Sequence, residues 1–225
     1  MILQMTRVVQ AGLKQERKLD IVSNHLANAD TTGFKADILS FDEAMNAVLT
    51  VDHTQGDLLR TDNKLDLAVG DEGFFKIETP QGVRYTRNGN FMVNAGGQLV
   101  TQNGDLALGT EGPIVIAGTD VRVARDGAVV VDGEAAGQIA VATFADLTQL
   151  HKEGAGNYVY KGDPGEEMVP VNVNVVQGAL EKPNFTVVEE MTEMISVSRN
   201  YEAFQKIMLS FDETDSKAIT DIAKV

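Results

Sequence analysis

The sequence contains no cysteine, which removes disulfides, thiol nucleophiles and cysteine-ligated zinc. That absence assigns no compartment, because reduced cytosolic proteins and disulfide-free exported ones share it. Positive charge is also scarce, with 19 Lys and Arg against 33 Asp and Glu and a formal net charge of −14. No Lys/Arg cluster offers the cationic face that phosphate backbones require, so nucleic acid is not an expected partner and an anionic membrane surface is disfavoured. No apolar run is long enough to cross a bilayer as a helix. At the N-terminus Arg7 interrupts a short apolar start and Lys14, Glu16, Arg17 and Lys18 follow, so the apolar core of a cleavable signal peptide is missing. If the protein leaves the cytoplasm, the expected route is a different one.

Catalytic side chains are thin on the ground. The six serines, Ser23, Ser40, Ser196, Ser198, Ser210 and Ser216, fall in or at the ends of predicted helices, and no Gly-x-Ser-x-Gly elbow occurs. His25, His53 and His151 are scattered without His-x-x-x-His or His-x-x-Glu-His spacing, so no metal site is expected. Gly70-Asp71-Glu72-Gly73-Phe74 has the glycines of a phosphate loop, but it lacks the lysine and the following helix, and its two acids would repel phosphate. Asp212, Glu213 and Asp215 lack the glycine and closing glutamate of a calcium loop and read as a solvated helix face. Acids beside turn glycines, such as Asp71, Glu72, Asp126 and Glu134, are expected in turns on structural grounds. The expectation is therefore no catalytic residue, no cofactor and no small-molecule substrate.

What the chain does have is pattern at both ends. From Met194, alternating steps of three and four reach Val197, Tyr201, Phe204, Met208, Phe211, Asp215, Ala218, Ile222 and Val225, with Asp215 alone breaking the apolar series. A stripe with that period stays on one side of a helix only if the helix supercoils against a partner, so this is read as a coiled-coil seam. Thr186 and Glu189 form a capping box at its start, and Pro183 prevents an earlier one. From Met5 the same stepping gives Val8, Gly12, Gln15, Leu19, Val22, Leu26 and Ala29, with Gly12 and Gln15 as misfits. Two seam helices bracket the rest, and the simplest expectation is that they pair.

Between them the text changes. Gly33 is placed to turn the chain with positive φ after the first helix, with Phe34 folding back on its last turn. Ser40 and Glu43 suggest a second capping box, and Phe41, Ala44, Met45, Val48 and Leu49 a short second helix. From Leu65 the period falls to two, and turn signals recur at Pro80 to Gly82, Asn88-Gly89, Gly96-Gly97, Asn103-Gly104, Asp126-Gly127 and Asp132-Gly133. Residues 146–170 read as loops with a short helical turn near Leu147 to Leu150. The expected fold class is α+β: residues 1–55 hold the N-terminal helix and short second helix, 56–178 an all-β domain (sandwich or irregular barrel), and 179–225 the C-terminal coiled-coil helix.

The stretch Ser23 to Lys35, with Asn24, Leu26, Ala27, Asn28, Thr32 (or Thr31), Gly33, Phe34 and Lys35, resembles the signature of the flagellar axial proteins, the bacterial rod and hook subunits. Leu65 to Val69 with Gly73-Phe74-Phe75, Tyr85 to Phe91 and Gly97 to Thr101 resemble the family's β domain. Gln177 to Glu181, Glu190-Met191 and Arg199 to Glu202 resemble its closing helix. Pro183-Asn184-Phe185 departs from the family's Ser-Asn-Val. The short spacing from Lys35 to Gly56, Gly112-Pro113-Ile114 and the Phe211-Asp212-Glu213 ending lean toward the proximal-rod branch, with the distal rod second.

The resemblance implies a structural subunit of a periplasmic rod that transmits torque. Its implied partners are copies of itself, sibling rod subunits and the flagellar export apparatus. Expected assembly residues are Leu19, Val22, Leu26, Phe34, Met194, Val197, Tyr201, Phe204, Met208 and Phe211. The alternative is a β-domain glycan-binding or glycan-acting protein dimerised by its helices.

Overall fold

The computed structural model describes residues 2–41, 47–70 and 72–222, and side-chain surroundings within them except at 2–9, 164, 212 and 215–222. It divides into two compact units: Met1–Ala29, Asp37–Thr50 and Thr186–Val225 in one, Asp30–Ala36 and Val51–Phe185 in the other.

The first unit is built on α1 (Ile2–Ala27) and α2 (Val187–Ile222). α2 starts directly after Thr186, whose hydroxyl donates to the Glu189 carboxylate at 2.6 Å while the Glu190 N–H bonds the Thr186 carbonyl at 3.1 Å. The two residues of the expected cap thus meet at the helix start, but side chain to side chain. Lys18 pairs with Glu193 and His25 with Glu190, so rising numbers on α1 meet falling numbers on α2 and the helices pack antiparallel. Val22 and Val197 are buried in this pairing.

The short second helix is replaced by a hairpin of β1 (Asp37–Phe41) and β2 (Ala47–Val51). Ser40 lies within β1 rather than at a helix cap, and Glu43, Ala44 and Met45 fall outside the described residues. A short apolar series fits both periods, and here two things favour the extended chain. Ile38, Val48, Thr50 and Val51 are β-branched, and Asp37 and Phe41 have partners on α1. The Asp37 N–H donates to His25 Nε2 at 2.9 Å, and Lys14 Nζ sits 3.8 Å from the Phe41 ring centroid.

Among its described residues the second unit is all β apart from two short 3-10 turns. Its largest sheet, among the described residues, has ten strands and runs along the path 150–154, 157–160, 82–86, 74–79, 106–109, 99–101, 91–93. A three-stranded meander of 121–123, 128–131 and 134–138 and two ribbons complete the unit. Strand 74–79 shows why the sheet carries two cores. Adjacent side chains on a strand point to opposite faces, so Phe75 and Ile77 join Leu67, Phe91, Leu99 and Val129 on one side. Phe74 joins Tyr85, Phe144, Leu150 and Tyr158 on the other.

Most turn signals sit between paired strands, as at Gly96-Gly97 and Asp132-Gly133, where Asp132 and Gly133 both take positive φ. Asn88-Gly89 is different. It closes no hairpin, because 91–93 pairs with 99–101. Gly89 is needed because a Cβ there would stand 1.6 Å from the Leu67 carbonyl oxygen. Residues 150–160 are a hairpin rather than the expected loop, preceded by the short turn at Leu147–Gln149. Strand Ala179–Glu181 pairs with Leu58–Arg60, beyond the expected end of the β domain at 178.

Candidate functional site

The signature residues divide between the two units. Within the helical unit, the Asn28 N–H reaches the Asn24 and His25 carbonyls at 3.1 and 2.9 Å, and Asn28 Nδ2 donates to the Asn24 carbonyl at 2.8 Å. Together these satisfy two of the four carbonyls left open where α1 ends. Leu26 is half-buried, while Asn24 and Ala27 are exposed.

Thr31 to Lys35 belong to the β unit. The Phe34 N–H bonds the Thr31 carbonyl at 3.2 Å, closing a turn, and Gly33 (φ +69°) donates its N–H to the Glu181 carbonyl at 2.7 Å. A Cβ on Gly33 would lie 2.5 Å from the Arg87 carbonyl carbon, so the loop backbone rests directly on the 87–88 backbone. The Phe34 ring has its partners within the β unit. It meets Phe185 edge-on at 6.0 Å and carries Lys152 Nζ 4.4 Å from its centroid. Lys152 Nζ also donates to the Lys35 carbonyl at 2.6 Å.

Lys35 is fully buried. Its Nζ donates to Glu181 Oε1 at 2.5 Å and to the Thr54 carbonyl at 2.6 Å. Glu181, equally buried, accepts in addition from the Gly56 N–H at 2.9 Å and from Arg87 Nη1 at 3.3 Å. Arg87 stacks its guanidinium 5.0 Å from the Phe74 ring centroid. Burial lowers the pKa of Lys35 and of Arg87, and in each case the Glu181 carboxylate opposes the shift. Paired buried charges of this kind hold geometry more than they add stability.

In the sequence Arg87 and Glu181 stand out only as parts of the stretches that resemble the family. The signal that could have joined them is that Thr31 to Lys35, Tyr85 to Phe91 and Gln177 to Glu181 each carry a single charge. The departure at Pro183-Asn184-Phe185 serves the same loop. Asn184 Oδ1 accepts from the Ala36 N–H at 2.8 Å, its Nδ2 donates to the Asp52 carbonyl at 2.9 Å, and Phe185 supplies the ring against Phe34.

His53 completes the cluster. Its ring lies 5.7 Å from Phe74 and 5.9 Å from Tyr158. Burial first, then the Lys35 and Arg87 charges, pull its pKa from 6.5 down to about 4. The unfolded chain therefore takes up this proton at a higher pH than the folded one, so stability is lost as pH falls from 6.5 toward 4. The loss is on the order of 2 kcal/mol once solvent screening is allowed for. Urea unfolding at pH 7 and pH 4 should show that much less acid loss in His53→Asn than in the parent.

The expected assembly residues lie on the two helices. On α2, Val197 is buried and Met194, Tyr201, Phe204, Met208 and Phe211 are half-buried, while most positions between them are exposed. On α1, Val22 is buried and Leu19 and Leu26 are half-buried. The side chains of Met5, Val8, Asp215, Ala218, Ile222 and Val225 lie outside the described ones, as does residue Asp71. Glu72 is exposed, and among the described residues no acid or histidine cluster could hold a metal.

Three family descriptions match in order along the chain. "Flagella basal body rod protein" matches residues 10–35, "Flagellar hook protein FlgE/F/G D1 domain" residues 68–131, and "Flagellar basal body rod FlgEFG protein C-terminal" residues 172–221. The flagellar basal-body rod protein FlgF of Caulobacter vibrioides is 32% identical over 98% of this chain and 100% of its own length. The chain belongs to the flagellar basal-body rod family. The rod protein FlgG of Agrobacterium fabrum is also 32% identical, over 90% of this chain and 92% of its own. The hook-basal body complex protein FlhO of Bacillus subtilis is 28% identical over 96% of both. As a rod protein, FlgF-like in its match, the chain is a structural component of the basal body that associates with other rod subunits, and it is not an enzyme. The glycan-directed alternative finds no support among these relatives.

Proposed function

We propose that α1 and α2 form a coiled-coil seam that is completed only by neighbouring subunits, so that copies of this chain and sibling rod proteins pack into a helical tube. The observation that carries this is the half-cover of the seam. Of six α2 seam positions from Met194 to Phe211, only Val197 is buried within the single chain. Half-covered side chains of this size each have about 1 kcal/mol still to gain from further burial. Leu19, Val22 and Leu26 on α1, with Met194, Val197, Tyr201, Phe204, Met208 and Phe211 on α2, are the assembly residues.

Stacked, close-packed helices resist twisting, which suits a drive shaft passing torque through the periplasm. Export as an unfolded chain through the flagellar secretion apparatus fits the same reading. The buried cluster of Lys35, Arg87 and Glu181 keeps the signature loop in one conformation.

Charged replacements on the seam test the proposal. Tyr201→Asp with Phe204→Asp should abolish light scattering by concentrated protein and stop swimming, with the β unit's unfolding unchanged. Normal motility and undiminished assembly in that variant would defeat the reading.

A further inference from the structure

The β unit contains two Asn-Gly pairs, Asn88-Gly89 and Asn103-Gly104, and the fold holds them in different ways. Such a pair is reactive because the peptide nitrogen after an asparagine can attack that asparagine's side-chain amide. Glycine, with no Cβ, hinders the approach least. Two conditions must hold in the folded chain: the carboxamide must be free to swing over the next peptide bond, and the glycine backbone must be free to follow it.

Asn103-Gly104 meets both. The pair lies in the turn that joins strands 99–101 and 106–109, and Gln102, Asn103 and Gly104 are all exposed. The Asn103 carboxamide has no hydrogen-bond partner among the described residues. Gln102 Nε2, by contrast, donates to Asn90 Oδ1 at 2.7 Å and anchors the turn beside it. The Gly104 N–H donates to the Thr101 carbonyl at 2.9 Å, a single exposed bond. A Cβ built on Gly104 (φ +89°) meets nothing within 4 Å, so an imide ring has room there.

Asn88-Gly89 meets neither. Asn88 Oδ1 accepts from the Asn90 N–H at 3.0 Å, and the Asn88 N–H donates to Thr86 Oγ1 at 3.1 Å. Gly89 is buried, and its carbonyl accepts from the Leu67 and Phe91 N–H groups at 2.9 and 3.0 Å. The Leu67 carbonyl oxygen already stands where a Cβ would go. This pair cannot close a ring without giving up its contacts to Leu67 and Asn90.

We infer that Asn103 is a site of spontaneous conversion to aspartate and isoaspartate in the folded protein, and that the fold shields Asn88 from the same reaction. The Gly104 nitrogen bonds to Asn103 Cγ and gives its proton to solvent, the Cγ–Nδ2 bond breaks, and Nδ2 takes a proton from water and leaves as ammonia. Water then opens the imide. Addition at Cγ gives aspartate, and addition at the main-chain carbonyl carbon gives isoaspartate. One water is consumed, one ammonia is released and no atom changes oxidation state. Either product adds a negative charge near Asp105, in a chain whose net charge is already −14. Isoaspartate also lengthens the main chain by a carbon, which no longer fits the turn closed by the Gly104 N–H and the Thr101 carbonyl.

The test incubates the full chain in warm, mildly alkaline buffer, folded in one sample and unfolded in guanidinium in another. Peptides bearing residues 88 and 103 are then weighed for the exchange of an amide for an acid, and isoaspartate is counted by enzymatic methylation. In the folded protein conversion at Asn103 should be at least about ten-fold faster than at Asn88, the effect of the additional hydrogen bonds that Asn88 and Gly89 must release. In the unfolded chain the two rates should be comparable. Asn103→Gln, checked by circular dichroism against the parent, should remove most of the ammonia released by the folded protein, because the longer side chain closes its ring far more slowly. Comparable rates at the two sites in the folded protein would overturn the inference. So would an Asn103 that stays intact in the folded protein while the unfolded chain converts, or that stays intact in both.

Discussion

Replacing Glu181 with alanine should cost the β unit about 3–5 kcal/mol, because it leaves two buried cations without their shared anion. Lys35 Nζ would keep only the Thr54 carbonyl, Arg87 Nη1 only a long contact to the Val69 carbonyl at 3.5 Å, and the Gly56 N–H would lose its acceptor. Glu181→Gln should cost less, since an amide oxygen still accepts from Gly56, although the charge is gone. The double variant Lys35→Met with Glu181→Gln should recover part of the loss by removing the less tolerable of the two stranded charges. Urea unfolding followed by circular dichroism measures all three. A loss under about 1 kcal/mol for Glu181→Ala would mean that water or a rearranged side chain relieves the site, and that the network does not hold the loop.

Gly33→Ala should be comparably damaging for a different reason. The position has φ +69°, where an L side chain costs about 1–2 kcal/mol. The new Cβ would also stand 2.5 to 2.7 Å from the carbonyl carbon and oxygen of Arg87 and the nitrogen of Asn88, all backbone atoms that cannot swing aside. The loop must lift, and lifting it breaks the 2.7 Å bond from the Gly33 N–H to the Glu181 carbonyl. A total on the order of 3 kcal/mol follows from strain plus the lost contact. A helix glycine gives the control. Gly12 has nothing within 4 Å of its would-be Cβ, so Gly12→Ala should be neutral or stabilising by up to about 1 kcal/mol. Equal unfolding midpoints for the two alanine variants would sink the account of Gly33.

These two residues show how the candidate site was divided between sequence and structure. The motif around Gly33 was legible, and so was the need for positive φ, because only glycine enters that region cheaply. Which surface the loop rests on was not. Arg87 and Glu181 are separated from Lys35 by 52 and 146 positions respectively, and nothing local makes a lysine choose a glutamate that far along the chain. The hairpin of β1 and β2 is hidden in the sequence for a related reason: the short apolar series through Phe41, Val48 and Leu49 fits two periods, and the deciding contacts, His25 to Asp37 and Lys14 to Phe41, come from another element.

By itself the sequence determined the two terminal helices, the start of α2 after Thr186, the turn-rich β body between them and the membership of the rod family. Those features follow from periodicity, capping and short motifs, which act over a few residues. Only the tertiary structure decided that Lys35, Arg87 and Glu181 share one buried site, that His53 loses its affinity for protons there, and that Asn103 is exposed while Asn88 is held. Burial and charge pairing between distant residues depend on where the whole chain places them, and local pattern carries no record of that.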